Sequence, residues 1–186
     1  MFLIKDSSNE KPIKIDLGTV LVASTEMEDE YFKDSVILIS AISPDLVLGF
    51  IMNRPIFMPL TELFDGLDSR FHSKKRRVFS GGPVAETDLN MISFSLVGGR
   101  EIVQGIRLGG HWNSIEQMLD SDQYENRLYL GYASWGINQL IEEITIGKSW
   151  VVYSDIQVLP VFAAVDNNRM QTSQKAISTL NTFSRH

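Results

Sequence analysis

The side chain best suited to hold an anion is that of Arg54, which follows an apolar run and precedes Pro55. A residue before proline is restricted to extended conformations, so the guanidinium is presented from a well-defined backbone. A planar guanidinium binds a carboxylate or a phosphate through two parallel hydrogen bonds. The alternative, which we favour, is an internal ion pair of Arg54 with Asp29, Asp34 or Glu143.

Two glycine-containing segments are candidate backbone binding sites. The segment Gly81-Gly82-Pro83 permits unusual backbone angles, which serve either to cradle a ligand or to let two strands pack tightly, and we favour tight packing. Gly136 precedes a helical stripe of apolar residues, and the free N–H groups and positive dipole end of a helix start suit an anion. The chain has no glycine-rich nucleotide loop of a known kind.

The residue types give little support to nucleophilic or metal-based catalysis. Ser134 is not in a nucleophile elbow, because Tyr132 occupies the position where that motif requires its first glycine. The chain has no cysteine, which excludes disulfides, thiolate metal sites and a cysteine nucleophile. The three histidines, His72, His111 and His186, are scattered, whereas a catalytic metal site usually needs three protein ligands. We therefore predict no catalytic residue, no metal and no cofactor.

The overall charge argues against a nucleic-acid or membrane partner. The chain carries 17 basic and 23 acidic residues, which gives a net charge of −6. Its one strong basic run, residues 74–77, is too small to make direct DNA binding by the isolated protein expected. The apolar run at residues 2–4 is too short for a signal peptide, and no stretch is long enough to span a membrane. A cytoplasmic protein is the expectation.

These residues must be positioned by short strands and a few helices. Apolar runs of strand length are separated by turn residues, and Ile137, Leu140, Ile141 and Ile144 form one helical face. Strands and helices are interleaved without a regular βαβ rhythm, which predicts an α+β fold with mixed strand pairing. Residues 1–16 are predicted to be a flexible arm and residues 17–186 a single domain. The predicted strands cover residues 19–23, 35–40, 46–52, 78–80, 90–96, 101–108, 127–132 and 149–153, and further short helices are predicted at 60–64 and 114–119.

Four motifs in this order and spacing resemble the AlgH/YqgE family of bacterial proteins. They are GTVLVA at 18–23 followed by Asp29, Phe32 and Ser35, then LGFIMNRP at 48–55, GGPV at 81–84, and GYASWGINQLIEEI at 131–144 with Trp150. The resemblance covers residues 17–153. Two positions depart from the common pattern, because Glu30 stands where many relatives have proline and Ser134 where many have glycine.

The resemblance implies an α+β fold with a mixed, branched or barrel-like β-sheet surrounded by helices. It implies a bacterial cytosolic protein, and the family's name is connected with transcriptional regulation, but it implies no established activity. We favour a non-enzymatic regulatory or ligand-binding protein with a small anionic ligand or a protein partner. The alternative is an enzyme acting on a small phosphorylated or carboxylated metabolite.

The motif residues are the candidate ligand-binding set, and most of them lie at or just beyond a strand end. We expect Asn53, Arg54, Gly81, Gly82, Tyr132 and Trp135 to converge in space, with Gly136 and Gln139 at the adjoining helix start. Trp135 has two interpretations. It packs into a turn and fixes the start of the helix, which we favour, or it is exposed and lines a pocket.

Overall fold

The structure is a computed structural model that describes residues 1–5, 12–57, 62, 78–94, 99–109 and 126–183. The basic run at 74–77, the three histidines, the predicted helix at 114–119 and all but Glu62 of the predicted helix at 60–64 lie outside these residues. The described strands are β1 (Phe2–Ile4), β2 (Ile13–Ile15), β3 (Val20–Ala23), β4 (Val36–Ile42), β5 (Leu46–Ile51), β6 (Pro55–Ile56), β7 (Val78–Ser80), β8 (Val84–Ser93), β9 (Arg100–Val103), β10 (Ile106–Leu108), β11 (Asn126–Gly136) and β12 (Trp150–Tyr153). The described helices are α1 (Ile137–Thr145), α2 (Val158–Asp166) and α3 (Ser173–Phe183).

The chain forms two compact units, and the first comprises residues 1–53 and 133–186. Its antiparallel strands follow the order β12-β3-β4-β5 and then the last residues of β11. The apolar runs of β3 and β4 are buried along nearly their whole length. One face of these strands forms the core with Leu140 and Ile144 of α1, while α3 also contacts β3. The helical face predicted for α1 is therefore the one that packs inward.

The described N-terminal residues, 1–5 and 12–16, contain two strands within the segment predicted to be a flexible arm. Strands β1 and β2 pair antiparallel, with Phe2 opposite Ile15 and Ile4 opposite Ile13. Ile4 and Ile15 are buried in the core of the first unit. The sequence does not predict these two strands, because each is only three residues long and its apolar alternation is too short to be distinguished from its polar neighbours.

The second unit comprises residues 54–132 and contains mixed strand pairing. The first part of β11 pairs antiparallel with β8 and parallel with β7. Strand β8 pairs with β10, β10 pairs with β9, and β7 pairs with β6. Since β11 contacts β5, β7 and β8 along its length, the sheet is mixed and branched, and no pairing among the described strands closes a barrel. The predicted α+β fold is confirmed.

Two local predictions need correction, and one helix was not predicted. Residues 133–136 are the last part of β11 rather than a turn, so Trp135 lies in a strand. The predicted strand 101–108 is two strands joined by a turn at Gln104-Gly105, with Gly105 at a φ of 78°. Helix α2 is apolar on all sides and gives no helical periodicity, so the sequence did not predict it. Among the described residues, no helix has the length and apolarity to cross a membrane.

Candidate functional site

Asn53 ties three backbone segments of the first unit together. Its Oδ1 accepts a hydrogen bond from the Val36 amide at 3.0 Å, and its Nδ2 donates to the carbonyls of Asp34 and Met170, both at 2.8 Å. Asp34 in turn accepts a bond from the Ser173 amide, at the start of α3, at 2.7 Å. Both Nδ2 hydrogens of Asn53 are therefore used inside the fold, which supports a structural role for this motif residue.

Trp135 is buried rather than open to a pocket, with 2% of its surface exposed. Its ring packs edge-on against Trp150 at a centroid distance of 5.8 Å, and it lies 5.9 Å from the ring of Phe32. Its Nε1 donates to Glu143 Oε2 at 3.1 Å, and Trp150 Nε1 donates to the same oxygen at 2.7 Å. This geometry supports the interpretation in which Trp135 packs and positions α1.

Gln139 and Gly136 lie at the start of α1, where the chain uses the nearby hydrogen-bonding groups itself. Gln139 Nε2 donates to the second carboxylate oxygen of Glu143 at 2.8 Å, so that carboxylate receives three side-chain N–H groups. The Ile137 amide donates to the Asp45 carbonyl at 3.2 Å, so the first amide of the helix is used by the chain itself. The sequence suggests Glu143 only as one possible ion partner of Arg54. Because Glu143 lies off the apolar stripe of α1, no sequence pattern predicts that its carboxylate accepts hydrogen bonds from two tryptophans.

In the second unit, the glycines of two motifs meet at their backbones. Gly131 has a φ of 67°, and a Cβ atom on it would lie 2.4 Å from the Gly82 carbonyl oxygen. The Gly81 amide donates to the Leu130 carbonyl at 2.7 Å. No side chain fits at Gly131, which supports the interpretation that these glycines let strands pack tightly.

The backbones of Arg54 and Tyr132 pair with residues on either side of the Gly81-Gly82 segment. The Arg54 carbonyl accepts a bond from the Ser80 amide at 2.9 Å, and Tyr132 is opposite Val84 in the β8–β11 pair. Arg54 directly precedes β6, Gly81 and Gly82 lie between β7 and β8, and Tyr132 is in β11.

The expected convergence fails for two residues of the first unit. Trp135 is opposite Val47 near the start of β5, whereas Asn53 lies six residues further along the chain, beyond the other end of that strand. At about 3.3 Å per residue the separation along the strand is about 20 Å. Residues at strand ends can lie at opposite edges of a sheet, and strand ends were the only reason for expecting these two to meet.

The second unit contains a buried arginine, Arg127, that no sequence pattern predicts. Arg127 is 2% exposed, and its guanidinium carbon lies 5.5 Å from the centroid of Phe79 and 5.9 Å from that of Phe94. Phe79 also stacks on Tyr129 at 5.4 Å. A cation over aromatic faces is favourable when water is excluded. The flanking phenylalanines are far apart in sequence, so no local pattern marks this cluster.

An open groove of about 580 Å³ lies in the first unit, at the side of β12. Its size is within the range of ligand sites. No local sequence pattern predicts this groove, because its lining joins residues of the predicted arm at 1–16 to residues of the predicted strand at 149–153. It is lined by Pro12, Ile13, Lys14, Ile144, Lys148, Trp150, Val151, Val152, Ser154 and Asp155. We call this site the β12 groove.

Two lysines give the β12 groove its cationic character. Lys14 Nζ lies 2.6 Å from Asp155 Oδ1 and 3.9 Å from Asp16 Oδ2. The hydrogen bond to Asp155 is the main cause that raises the pKa of Lys14 above its ordinary value, with Coulombic attraction from Asp155 and Asp16 adding to it. Lys148 is exposed, and no carboxylate in the described part of the chain pairs with its ammonium group.

The backbone on both sides of β12 has an uncommon conformation. Lys148 has a φ of 49° and Asp155 a φ of 55°, both in the left-handed region that residues other than glycine seldom occupy. The first turn is held by Ser24, whose hydroxyl donates to the Lys148 carbonyl at 2.5 Å. The second is held by Ser154, whose hydroxyl donates to the Lys14 carbonyl. Among the described residues, no group of histidine, aspartate and glutamate side chains is arranged to hold a metal ion.

A family model described as AlgH-like matches residues 20–176. The chain belongs to the AlgH-like family. It is 31% identical to a UPF0301 protein of Chlorobium phaeobacteroides over 145 residues, which is 75% of each chain. It is 27% identical to a UPF0301 protein of Cupriavidus metallidurans over 161 residues, covering 82% of this chain and 84% of the relative.

Solved structures share the fold of this AlgH-like chain. The solution structure of the AlgH protein from Pseudomonas aeruginosa matches with a TM-score of 0.68 and 17% identity, over 91% of this chain and 88% of that one. A crystal structure of a Corynebacterium diphtheriae protein matches with a TM-score of 0.61 and 23% identity, over 75% of each chain. At these identities the likeness concerns the fold alone.

Proposed function

We propose that this AlgH-like protein is a non-enzymatic, cytoplasmic binding protein with a regulatory role, and that it holds an anionic group of its ligand in the β12 groove. The observation that carries the proposal is the pair of lysines at this groove. Lys148 is exposed without a carboxylate partner in the described part of the chain, and Lys14 of β2 pairs with Asp155 near the other end of β12. An anionic group placed there would form an ion pair with the Lys148 ammonium group, which no described carboxylate neutralises.

The chemistry of the β12 groove supports binding rather than catalysis. A lysine that acts as a nucleophile or base needs a lowered pKa, whereas the pKa of Lys14 is raised by its hydrogen bond to Asp155. The hydroxyl of Ser154 donates its hydrogen to the Lys14 carbonyl, and a backbone carbonyl does not act as the general base that would activate a nucleophile. Both groups are suited to fixed contacts and not to proton transfer.

A regulatory role fits the charge of the protein only if it acts through a ligand or a partner. The net charge of −6 opposes the phosphate backbone of DNA. We expect the isolated protein to bind DNA weakly and without sequence preference. A filter-binding or anisotropy assay that finds tight binding at about 200 mM salt would contradict this part of the proposal.

A thermal-shift screen of small carboxylates and phosphates tests the proposal. A compound that binds only the native state raises the melting temperature in a concentration-dependent way. We expect at least one compound to do so, with the shift lost in Lys148→Glu and kept in Lys175→Glu, a matched charge reversal on the exposed face of α3. The proposal fails if no compound stabilises the protein, or if Lys148→Glu responds as the wild type does.

A further inference from the structure

Among the described strands, β12 pairs with β3 and with no other strand. Trp150 is opposite Ala23 in this antiparallel pair, and the Ser24 amide donates to the Ser149 carbonyl at 2.8 Å. Hydrogen bonding alternates along an antiparallel pair, so every second residue of β12 after Ser149 bonds to β3. These residues are Val151 and Tyr153.

The intervening residues, Trp150 and Val152, direct their backbone N–H and C=O groups away from β3. Within the described residues no strand pairs with this outer edge, which opens into the β12 groove. The hairpin of β1 and β2 borders the groove, where the Lys14 carbonyl accepts a bond from the Ser154 hydroxyl and the Lys14 ammonium group donates to Asp155, both just beyond the end of β12. The fold thus leaves a row of strand donors and acceptors available.

The side chains of β12 leave this edge accessible. Those of Trp150 and Val152 pack on the core, while the Tyr153 hydroxyl on the other face donates to Asn181 Oδ1 at 2.9 Å. Lys148 and Asp155 bracket the strand at its two ends. An extended segment laid beside β12 would therefore have a cation at one end and the Lys14–Asp155 pair at the other.

We infer, on the basis of the proposed function, that the β12 groove binds an extended segment of a partner protein as an added strand, with a carboxylate of that segment against Lys148. Backbone hydrogen bonds to Trp150 and Val152 supply the general attraction of strand addition. The carboxylate supplies selectivity, since Lys148 offers a charge that no described carboxylate neutralises. A lysine beside a free edge also discourages pairing with uncharged strands.

The test measures fluorescence anisotropy of a labelled octapeptide of alternating valine and threonine that ends in two glutamates, titrated with the full chain. We expect saturable binding that weakens about tenfold or more for Lys148→Glu and is unchanged for Lys175→Glu. Replacing the glutamates of the peptide by lysines should also abolish binding to the wild type and restore it in Lys148→Glu.

A second set of measurements tests strand addition itself. Val152→Pro removes an amide that faces the groove and leaves the bonds to β3 in place, so we expect a folded protein that no longer binds. If this variant does not fold, a peptide N-methylated at alternate residues replaces it, and we expect no binding of that peptide by the wild type. Equal binding by Val152→Pro, or of the N-methylated peptide, overturns the inference.

The outcomes separate this inference from the proposed function. If small anions still stabilise the protein through Lys148 but the glutamate peptide does not bind, strand addition is wrong and anion binding stands. If neither binds, both are wrong. If sedimentation shows a dimer that Val152→Pro converts to a monomer and the peptide does not bind, a second copy of this chain occupies the edge and the inference is overturned.

Discussion

The Trp135–Glu143–Trp150 cluster and the β12 groove both involve Trp150, yet they differ in what their polar groups do. In the cluster, one carboxylate receives N–H groups from Trp135, Trp150 and Gln139, all from the same chain. In the groove, Lys148 has no described carboxylate partner and the outer edge of β12 is unpaired within the described residues. The family motifs contain the residues of the cluster, and they contribute Ile144 and Trp150 to the lining of the groove. The charged residues of the groove, Lys14, Lys148 and Asp155, lie outside these motifs, so in this unit the motif residues maintain the fold while other residues supply the charges open to a ligand.

The strongest test of this contrast is Trp135→Ala. Removing a buried indole leaves a cavity and two lost ring contacts, so we expect a loss of about 3–5 kcal/mol in the free energy of unfolding. Chemical denaturation measures it, with Phe57→Ala as the control because that ring is 94% exposed. An unchanged melting temperature for Trp135→Ala would place this residue with the ligand-contacting set instead.

Gly131→Ala tests the glycine contacts of the second unit. The new methyl group would be 2.4 Å from the Gly82 carbonyl oxygen, on a residue with a φ of 67°. We expect a loss of about 2–4 kcal/mol from this clash and the backbone strain. Gly136→Ala is the matched control, since nothing lies within 4 Å of a Cβ at that position. Equal stability of the two variants would show that the close approach of the strands is not needed.

Asn53→Ala removes an amide that makes hydrogen bonds to three backbone groups. We expect it to destabilise the protein by about 2–3 kcal/mol, because the amide of Val36 and the carbonyls of Asp34 and Met170 lose their partner. Urea denaturation measures the change, and Asn138→Ala on the exposed face of α1 serves as control. A stable Asn53→Ala protein with weakened anion binding would assign Asn53 to the ligand instead.

Alkaline pH should affect the first unit through Tyr153. Burial raises the pKa of Tyr153, whose protonated hydroxyl donates to Asn181. The stabilisation is fully present below the ordinary tyrosine pKa of about 10 and is lost as the pH rises through the raised pKa of the folded state. Thermal melts at pH 9 to 11 should therefore fall more steeply for the wild type than for Tyr153→Phe. Parallel curves would show that this hydroxyl contributes nothing.

The smallest effect on stability is expected at the groove itself. Lys148→Glu changes an exposed side chain without a described ion partner, so the free energy of unfolding should stay within about 0.5 kcal/mol of the wild type. The same variant is expected to lose anion and peptide binding. Denaturation and binding measured on one preparation check both points. A large loss of stability would mean that Lys148 serves the fold, as the motif residues do.

Sequence patterns predicted the candidate site less well than the fold. The motif residues Arg54, Gly81 and Gly82 lie next to strands β6, β7 and β8 of the unit that contains Tyr132, but Asn53 and Trp135 lie beside opposite ends of β5. The pattern shows that a residue is at a strand end, and it does not show which edge of the sheet that end reaches. The β12 groove gave no signal, because its lining joins residues 12–14 to residues 144–155.

Residue types and short spacings are sufficient to predict most strand positions, the inward face of α1, the absence of thiol chemistry and the family. These properties depend on residue type and on spacings of a few residues, which are local. Three other properties follow from the folded chain alone: Ile4 and Ile15 belong to the core, Glu143 accepts bonds from two tryptophans, and β12 is at the edge of the sheet among the described strands. Such properties depend on which distant segments come into contact, and the bond from Ser154 to Lys14 joins residues 140 positions apart.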